Sequence, residues 1–148
     1  GAPHRLAVVE VPAHQLTVLD DFYNANPASM HHAILTVHTI RAADEDLILV
    51  LGDMLELGGI SQQRHQEIGA YVAKLTPPPD AVVTIGQYAQ PLAECAAQAN
   101  IPIHVFPDAR AAIPMVLSLV RQTESPQLML IKGSRGVHLE QIVESLVE

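Results

Sequence analysis

Short apolar runs alternate with helix-length amphipathic segments along almost the whole sequence, and this alternation restricts the possible folds more than any other feature. A continuous apolar run such as Leu47–Leu51 is typical of a strand buried on both faces. Segments such as Ser61–Leu75, in which His65 and several apolar side chains recur at helical spacing, predict helices that cover such strands. The order of elements therefore predicts an α/β fold: a Rossmann-like, mostly parallel sheet with helices on both faces.

The first two predicted strands differ from the rest because no helix separates them. Leu6–Val11 and Gln15–Leu19 are joined only by Pro12–His14, which predicts an antiparallel hairpin at the N-terminal edge of the sheet. The remaining predicted strands are Leu47–Leu51, Ala81–Ile85, Ile103–Phe106 and Leu128–Ile131. The predicted helices cover Pro27–Arg41, Ser61–Leu75, Tyr88–Ala99, a segment from Asp108 to about Arg121, and a last segment that includes Leu139 and Leu146.

Several helix boundaries have local signals. Asn26 precedes Pro27, and this order predicts an N-cap followed by proline at the first helical position. Ser61 and Asp108 are expected to cap the second and fourth helices. Pro114 predicts a kink in the fourth helix or a start beyond Asp108, because proline lacks the amide N–H that a helix interior uses.

Composition excludes several classes of protein. The 148 residues, 49% of them hydrophobic, are enough for one domain spanning residues 1–148. A net charge of −8 argues against a nucleic-acid-binding protein, which needs a basic face. No segment has the length of a membrane span or the layout of a signal peptide, and the single cysteine excludes an internal disulfide. A cytoplasmic protein is therefore expected.

In parallel α/β sheets, ligands bind beyond the carboxyl ends of the strands, so the loops at those ends are the candidate sites. The first loop, Asp20–Pro27, places two carboxylates, a phenol and two amides within eight residues. A carboxylate can hold ribose hydroxyls, and the face of Tyr23 can hold an adenine. The alternative is that Asn26 only caps the following helix.

The second loop, Gly52–Gly59, interleaves apolar side chains with two acids. Exposed apolar groups at a strand end would indicate a surface that a ligand or another domain covers, although the same side chains can fold back onto the core. Asp53, Glu56 and His65 have metal-ligand chemistry, but His65 lies on the apolar stripe of its helix and is more simply a hydrogen-bonded histidine. No metal site is predicted.

The loop Lys132–Gly136 combines glycines, a hydroxyl and two cations before the last helix, which is the composition of an anion site. It is not a P-loop, and no Gly-x-Gly-x-x-Gly follows any strand, so a nicotinamide dehydrogenase is excluded. The alternative is a solvated basic turn. In either case the loop is expected to be exposed, so replacing Lys132 or Arg135 should leave stability nearly unchanged.

Three stretches together carry a resemblance to a known family. Asp20–Met30, Leu51–Gly58 and Leu130–Gly136 resemble, in this order, the C-terminal domain of the Mur ligases, and in particular the MurF group that adds D-alanyl-D-alanine to the cell-wall precursor. Arg5 is similar to the arginine near the entry of this domain in the superfamily. The resemblance covers essentially the whole chain.

The resemblance implies the third domain of an ATP-dependent ligase, which is inactive alone because the N-terminal UDP-sugar domain and the central P-loop domain are absent. No catalytic residue is expected here, and ATP and Mg²⁺ would be held mainly by the central domain. The residues implied on the nucleotide side are Arg5, Asp21, Tyr23, Asn24, Asn26 and Pro27. Those implied on the dipeptide side are Asp53, Glu56, His65, Lys132, Ser134 and Arg135.

The implied substrates are ATP, D-alanyl-D-alanine and UDP-MurNAc-tripeptide, without nucleic acid or a membrane span. The implied process is peptidoglycan synthesis in the cytoplasm, on which cell shape, cell cycle and cell division depend. The alternative hypothesis is a non-catalytic α/β module that binds a nucleotide or another small ligand.

Overall fold

Six strands form one sheet in the computed structural model, which describes residues 6–148. The strands are β1 (Ala7–Val11), β2 (Leu16–Asp21), β3 (Asp46–Gly52), β4 (Ala81–Ile85), β5 (Ile103–Phe106) and β6 (Gln127–Lys132). Their order across the sheet is β1-β2-β6-β3-β4-β5. β1 pairs with β2 antiparallel, and all other pairs are parallel. The predicted fold class and the edge hairpin are confirmed.

Helices cover both faces of the sheet because successive strand side chains point to opposite sides. The helices are α1 (Pro27–Ile40), α2 (Ser61–Ala73), α3 (Ala89–Ala96), α4 (Ala109–Arg121) and α5 (Glu140–Val147). One apolar core joins α1, α2 and α3 to side chains such as Leu49 and Leu130. A second core joins α4 and α5 to the alternate side chains, such as Val50 and Ile131. The alternation along each strand thus builds two cores with one sheet between them.

The helix caps follow the sequence signals in two of three cases. The Asn26 side chain accepts from Ser29 N at 2.9 Å and forms a capping box, and the Asp108 side chain accepts from Ala111 N at 2.8 Å. The prediction for Ser61 is wrong, because the N-cap of α2 is Ile60 at the end of the 3₁₀ turn Gly58–Ile60. Ser61 is instead the first residue of α2, and its carbonyl oxygen is a hydrogen-bond partner of His65.

Of the two alternatives expected for Pro114, a kink or a later start, the later start is wrong, because α4 begins at Ala109 and continues through Pro114. Ile40, the last residue of α1, is 54% exposed. Within residues 6–148, no helix has the length and apolar character that crossing a membrane requires.

Helices α2 and α3 approach each other closely at Gly69. A Cβ at this position would collide with the carbonyl oxygen of Leu92 and would lie 2.9 Å from Cys95 Cβ. The absence of a side chain at Gly69 therefore sets how closely the two helices pack, and through them the positions of the loops that lead into α2 and α3.

Candidate functional site

A buried ion pair lies at the carboxyl ends of β2 and β6. These strands are neighbours, and their register places Asp21 opposite Lys132. Lys132 Nζ donates to Asp21 Oδ2 at 2.6 Å and to Asn24 O at 3.0 Å, and the two side chains are 1% and 4% exposed. Lys132 is thus the last residue of a buried strand rather than part of an exposed turn, so the expectation of a solvated cation was wrong for this residue.

The same carboxylate shapes the loop after β2. Asp21 Oδ1 accepts from Tyr23 N at 3.1 Å and from Asn24 N at 3.4 Å, and these bonds turn the chain toward α1. The Tyr23 ring is 49% exposed, and Arg135 Cζ lies 5.6 Å from its centroid, within the range of a cation–π contact. Polar and aromatic groups of two sequence-distant loops therefore meet on one surface.

Ser134 joins three loops at this edge. Its backbone N donates to Asp53 O at 2.9 Å. Its hydroxyl donates to Ala25 O at 3.3 Å and accepts from Leu55 N at 2.8 Å. Because Ser134 is buried, these bonds fix the loop after β6 against the loops after β2 and β3.

Asp53 connects the end of β3 to the start of α3. Its two carboxylate oxygens accept from Gln87 N at 2.7 Å and from Tyr88 N at 2.9 Å. A side chain at Gly86 would collide with this carboxylate, and the backbone there has φ 123°, a value that favours glycine. Asp53 therefore provides the hydrogen-bond acceptors for two backbone N–H groups just before α3, and its side chain is buried in this contact.

His65 is held as a neutral ring. Nδ1 lies 2.7 Å from the carbonyl oxygen of Ser61, and Nε2 accepts from Met54 N at 3.0 Å, so the proton is on Nδ1. The ring is buried and stacks on Tyr88 with centroids 4.7 Å apart. Nε2 is 3.9 Å from Asp53 Oδ1, but the two groups do not form an ion pair because the ring is neutral. His65 is a hydrogen-bonded helix histidine, as the sequence favoured.

The loop after β3 divides its apolar side chains between the core and the surface. Met54 is fully buried, Leu57 packs partly against the core, and Leu55 is 41% exposed. Glu56 is exposed at a left-handed residue with φ 64°, on the outside of the turn. No three histidine, cysteine, aspartate or glutamate side chains within residues 6–148 form a group able to hold a metal ion.

The structure thus brings most of the predicted site residues to one edge of the sheet. The residues linked there by contacts are Asp21, Tyr23, Asn24, Asp53, His65, Lys132, Ser134 and Arg135. Asn26 and Pro27 begin α1 beside this group, and Asn26 Oδ1 is used in the helix cap. Glu56 faces outward, and Arg5 lies outside the described residues.

A cavity of about 330 Å³ opens at the same edge, beyond the ends of β3, β4 and β5. Leu55 and Val137 give it an apolar wall, and Asp53, Gln87 and Arg110 are among its polar lining residues. The site residues predicted from the sequence did not include Gln87, Arg110 or the neighbouring His138. The signal for Arg110 was its place in the first turn of a helix that follows a parallel strand, since such a turn lies at the ligand edge.

Asp20 is a strongly perturbed acid at this edge. Its burial, and then the neighbouring Asp21 carboxylate, raise the pKa of Asp20 from 3.8 to about 6. Asp20 is 8% exposed and pairs in register with Ala7 and Ile131, so the strands on both sides limit its access to water. Removal of a carboxylate from water favours the protonated acid.

The family model of the Mur ligase glutamate ligase domain matches residues 4–135, which includes the first two loops of the candidate site and the third loop as far as Arg135. The chain belongs to the Mur ligase family. Among curated proteins, it is 35% identical over 139 residues to the UDP-N-acetylmuramoyl-tripeptide–D-alanyl-D-alanine ligase of Bacillus subtilis, covering 90% of this chain and 28% of that ligase. It is 32% identical over 150 residues to the ligase of that name from Escherichia coli, covering 100% of this chain and 30% of that ligase.

Solved structures of this family share the fold. MurF from Acinetobacter baumannii superposes with a TM-score of 0.86 at 31% identity, covering 99% of this chain and 31% of that chain. MurF from Thermotoga maritima, solved in complex with ADP, gives a TM-score of 0.75 at 23% identity over 99% of this chain and 31% of that chain. This Mur ligase chain therefore corresponds to less than a third of each of these relatives.

Proposed function

We propose that this chain is the C-terminal domain of an ATP-dependent ligase that adds D-alanyl-D-alanine to UDP-MurNAc-tripeptide in peptidoglycan synthesis. The observation that carries the proposal is the convergence of the three family loops on one sheet edge, held by the Lys132–Asp21 pair. The names of the curated relatives supply the substrates. A cytoplasmic location of the enzyme, and its contribution to cell shape and cell division, are part of the same proposal.

The nucleotide side of the proposed site is the surface formed by the loops after β2 and β6. Tyr23 offers a half-exposed ring for the adenine, and Asn24 is exposed beside it. Arg135, which the family resemblance puts on the dipeptide side, lies over the Tyr23 ring, so we propose that its charge favours the nucleotide phosphates instead. The structural relative from Thermotoga maritima was solved in complex with ADP, which supports a nucleotide as a ligand of the complete ligase. Asn26 and Pro27 belong to the same proposed surface, and Arg5, which lies outside the described residues, is proposed as a nucleotide-side residue from the family resemblance alone.

The dipeptide side of the proposed site is the cavity of about 330 Å³. D-alanyl-D-alanine is small, with two methyl groups, one carboxylate and one amine. Leu55 and Val137 provide an apolar wall for the methyl groups, and Arg110 provides a cation for the carboxylate. Asp53, which lines the same cavity, provides negative charge for the amine.

Lys132, Ser134 and His65 have a positioning role in this proposal. Ser134 and His65 bond backbone amides of the loop after β3, which forms one wall of the cavity, and Lys132 bonds the loop after β2 on the nucleotide side. Glu56, which the family resemblance puts on the dipeptide side, is exposed on the turn beside Leu55 and does not line the cavity, so we propose that it faces an adjoining domain. We assign no catalytic residue to this chain: the P-loop and the Mg²⁺ that activate ATP belong to the central domain in this family arrangement.

Dipeptide binding can be tested directly on the chain. Titration of ¹⁵N-labelled protein with D-alanyl-D-alanine should shift the amide resonances of Gln87, Arg110 and Val137, which line the cavity. L-alanyl-L-alanine is the matched control and should shift them less, because its methyl groups point to the opposite side of each α-carbon. If the resonances of these residues do not shift with either dipeptide at millimolar concentration, the assignment of this cavity to the dipeptide is contradicted.

The complete reaction requires a chimaera in which this chain replaces the corresponding segment of the Bacillus subtilis relative. The chimaera should form UDP-MurNAc-pentapeptide with ATP, and the isolated chain should show no turnover. A folded chimaera that hydrolyses ATP in the presence of tripeptide precursor but transfers no dipeptide would contradict the proposed function.

A further inference from the structure

His138 lies on a wall of the cavity that we assign to the dipeptide. This wall is the segment just before and into α5, which contributes Val137, His138 and Gln141 to the lining. A second wall is the segment that begins α4, which contributes Arg110. The two helices follow parallel strands, so both segments lie at the carboxyl edge of the sheet, where ligands of such folds bind. His138 and Arg110 therefore approach one cavity from different helices.

The backbone of His138 is left-handed, with φ 59° and ψ 45°. Its N–H donates to Arg135 O at 3.3 Å, across the 3₁₀ turn that His138 ends. Its carbonyl oxygen accepts from Gln141 N at 3.4 Å and from Gln141 Nε2 at 3.1 Å. Three hydrogen bonds thus hold this residue in a conformation that glycine adopts without the steric cost of a side chain.

Two other residues of the described chain end a 3₁₀ turn in the same conformation, and each side chain has a local explanation. Asn100, with φ 61°, is of a type that tolerates the left-handed region because its short polar side chain can bond locally. Gln15, with φ 50°, donates from Nε2 to Glu124 O at 3.2 Å. Both side chains are therefore accounted for by the chain itself.

The side chain of His138 has no comparable explanation. Its Nδ1 lies 3.3 Å from Glu140 Oε1, and the two side chains are 65% and 45% exposed. An exposed pair of this kind contributes little to stability. The imidazole ring is also accessible to solvent rather than packed in the core. Stability thus does not require a histidine at this position, and the accessible ring stands at the cavity that the residue lines.

The chemistry of the two walls suits one carboxylate. The contact with Glu140 uses Nδ1 of His138, which leaves Nε2 for a ligand. Arg110 forms no ion pair with any residue within 6–148, so its guanidinium is also available. We propose, resting on the proposed function, that His138 and Arg110 together hold the carboxylate of D-alanyl-D-alanine and that His138 selects dipeptides with a free C-terminus. Donating from both ring nitrogens, His138 binds as the imidazolium.

His138→Gly tests this role, because it removes the ring and keeps the backbone conformation. It should weaken binding of D-alanyl-D-alanine at least about fivefold, since a hydrogen bond to a charged group is lost. The melting temperature should stay the same or rise. Asn100→Gly is the matched control: Asn100 also ends a 3₁₀ turn with a left-handed backbone, but it does not line the cavity, so binding should be unchanged. Titration followed by the amide resonances of Gln87 and Val137 gives the affinities.

D-alanyl-D-alaninamide, in which a carboxamide replaces the carboxylate, separates recognition of the carboxylate from the shape of the wall. His138→Gly and the unaltered chain should bind this compound with equal affinity. An equal loss of affinity for the dipeptide and its amide would overturn the inference, since it would show that the ring only shapes the cavity.

A direct readout on the unaltered chain does not depend on any variant. The imidazole resonances of His138, assigned by their loss in His138→Gly, should move on addition of D-alanyl-D-alanine and move much less with the carboxamide. If the amides of Gln87 and Arg110 shift while the His138 ring does not, this inference is overturned and the proposed function stands. If none of these resonances shifts, the proposed dipeptide site fails and this inference fails with it.

Discussion

Lys132 Nζ lies 2.6 Å from Asp21 Oδ2, and both side chains are almost completely buried. The pair joins two strands that are neighbours in the sheet, and Nζ also bonds the carbonyl of Asn24 in the loop after β2. The two loops of the proposed nucleotide surface, after β2 and after β6, are therefore held together at their bases. Movement of either loop disturbs the other.

Lys132→Met should destabilise the chain by about 3–5 kcal/mol, because it leaves the Asp21 carboxylate buried without its counter-charge. Urea denaturation measures this loss. Arg135→Ala, which removes an exposed cation three residues away, should change the unfolding free energy by less than about 0.5 kcal/mol. The double variant Asp21→Asn/Lys132→Met should recover part of the loss, and equal stabilities of the single and double variants would show that the pair is not coupled.

Gly69→Ala should destabilise the chain by about 1–3 kcal/mol, since its Cβ would collide with the Leu92 carbonyl and force α2 away from α3. Gly59→Ala is a suitable control, because a Cβ there has no atom within 4 Å. Thermal unfolding of both variants compares them. If Gly69→Ala melts at or above the temperature of Gly59→Ala, the close helix contact is not a constraint on packing.

The raised pKa of Asp20 predicts a pH-dependent difference in stability. Because the pKa is about 6 in the folded chain and 3.8 for an aspartic acid fully exposed to water, the folded state binds more protons between these values. The contribution of Asp20 to stability is therefore present at low pH and is lost as pH rises through about 6. Asp20→Asn should match the unaltered chain near pH ~4 and exceed its stability near pH ~7, by up to about 3 kcal/mol.

This experiment compares unfolding free energies of the two proteins across the pH range, which cancels the titration of the other acids. Asp44→Asn removes an exposed acid, and its stability difference should stay nearly constant with pH. An Asp20→Asn difference that is equally flat would mean that Asp20 ionises normally in the folded chain.

Tyr23→Leu should raise the KM for ATP of the chimaera about tenfold, because stacking of a base on an aromatic ring contributes roughly 1–3 kcal/mol. Tyr23→Phe retains the ring and should behave like the unaltered protein. Steady-state kinetics with ATP varied, and the dipeptide held in excess, distinguishes the two. Equal KM values for the leucine and phenylalanine variants would show that the Tyr23 ring does not contribute to nucleotide binding.

Local sequence patterns determined the secondary structure and the two-sided sheet. The capping box of Asn26 and Ser29, the buried run of β3 and the stripe of α2 all depend on residues close to each other in the chain. Their signals are visible in the sequence because each one involves residues that are close together in the chain. The family loops were recognisable for the same reason, because each motif is a continuous stretch.

The tertiary structure alone decided which loops contact each other and which side chains remain exposed. Asp21 and Lys132 are 111 residues apart, and they meet only because β6 lies between β2 and β3. No local pattern encodes that order, so Lys132 was expected on a surface that it does not occupy. Arg110 reached the cavity in the same way, through the place of β5 beside β4. Strand order and register are long-range pairings, and their stability comes from the assembled core rather than from any single segment.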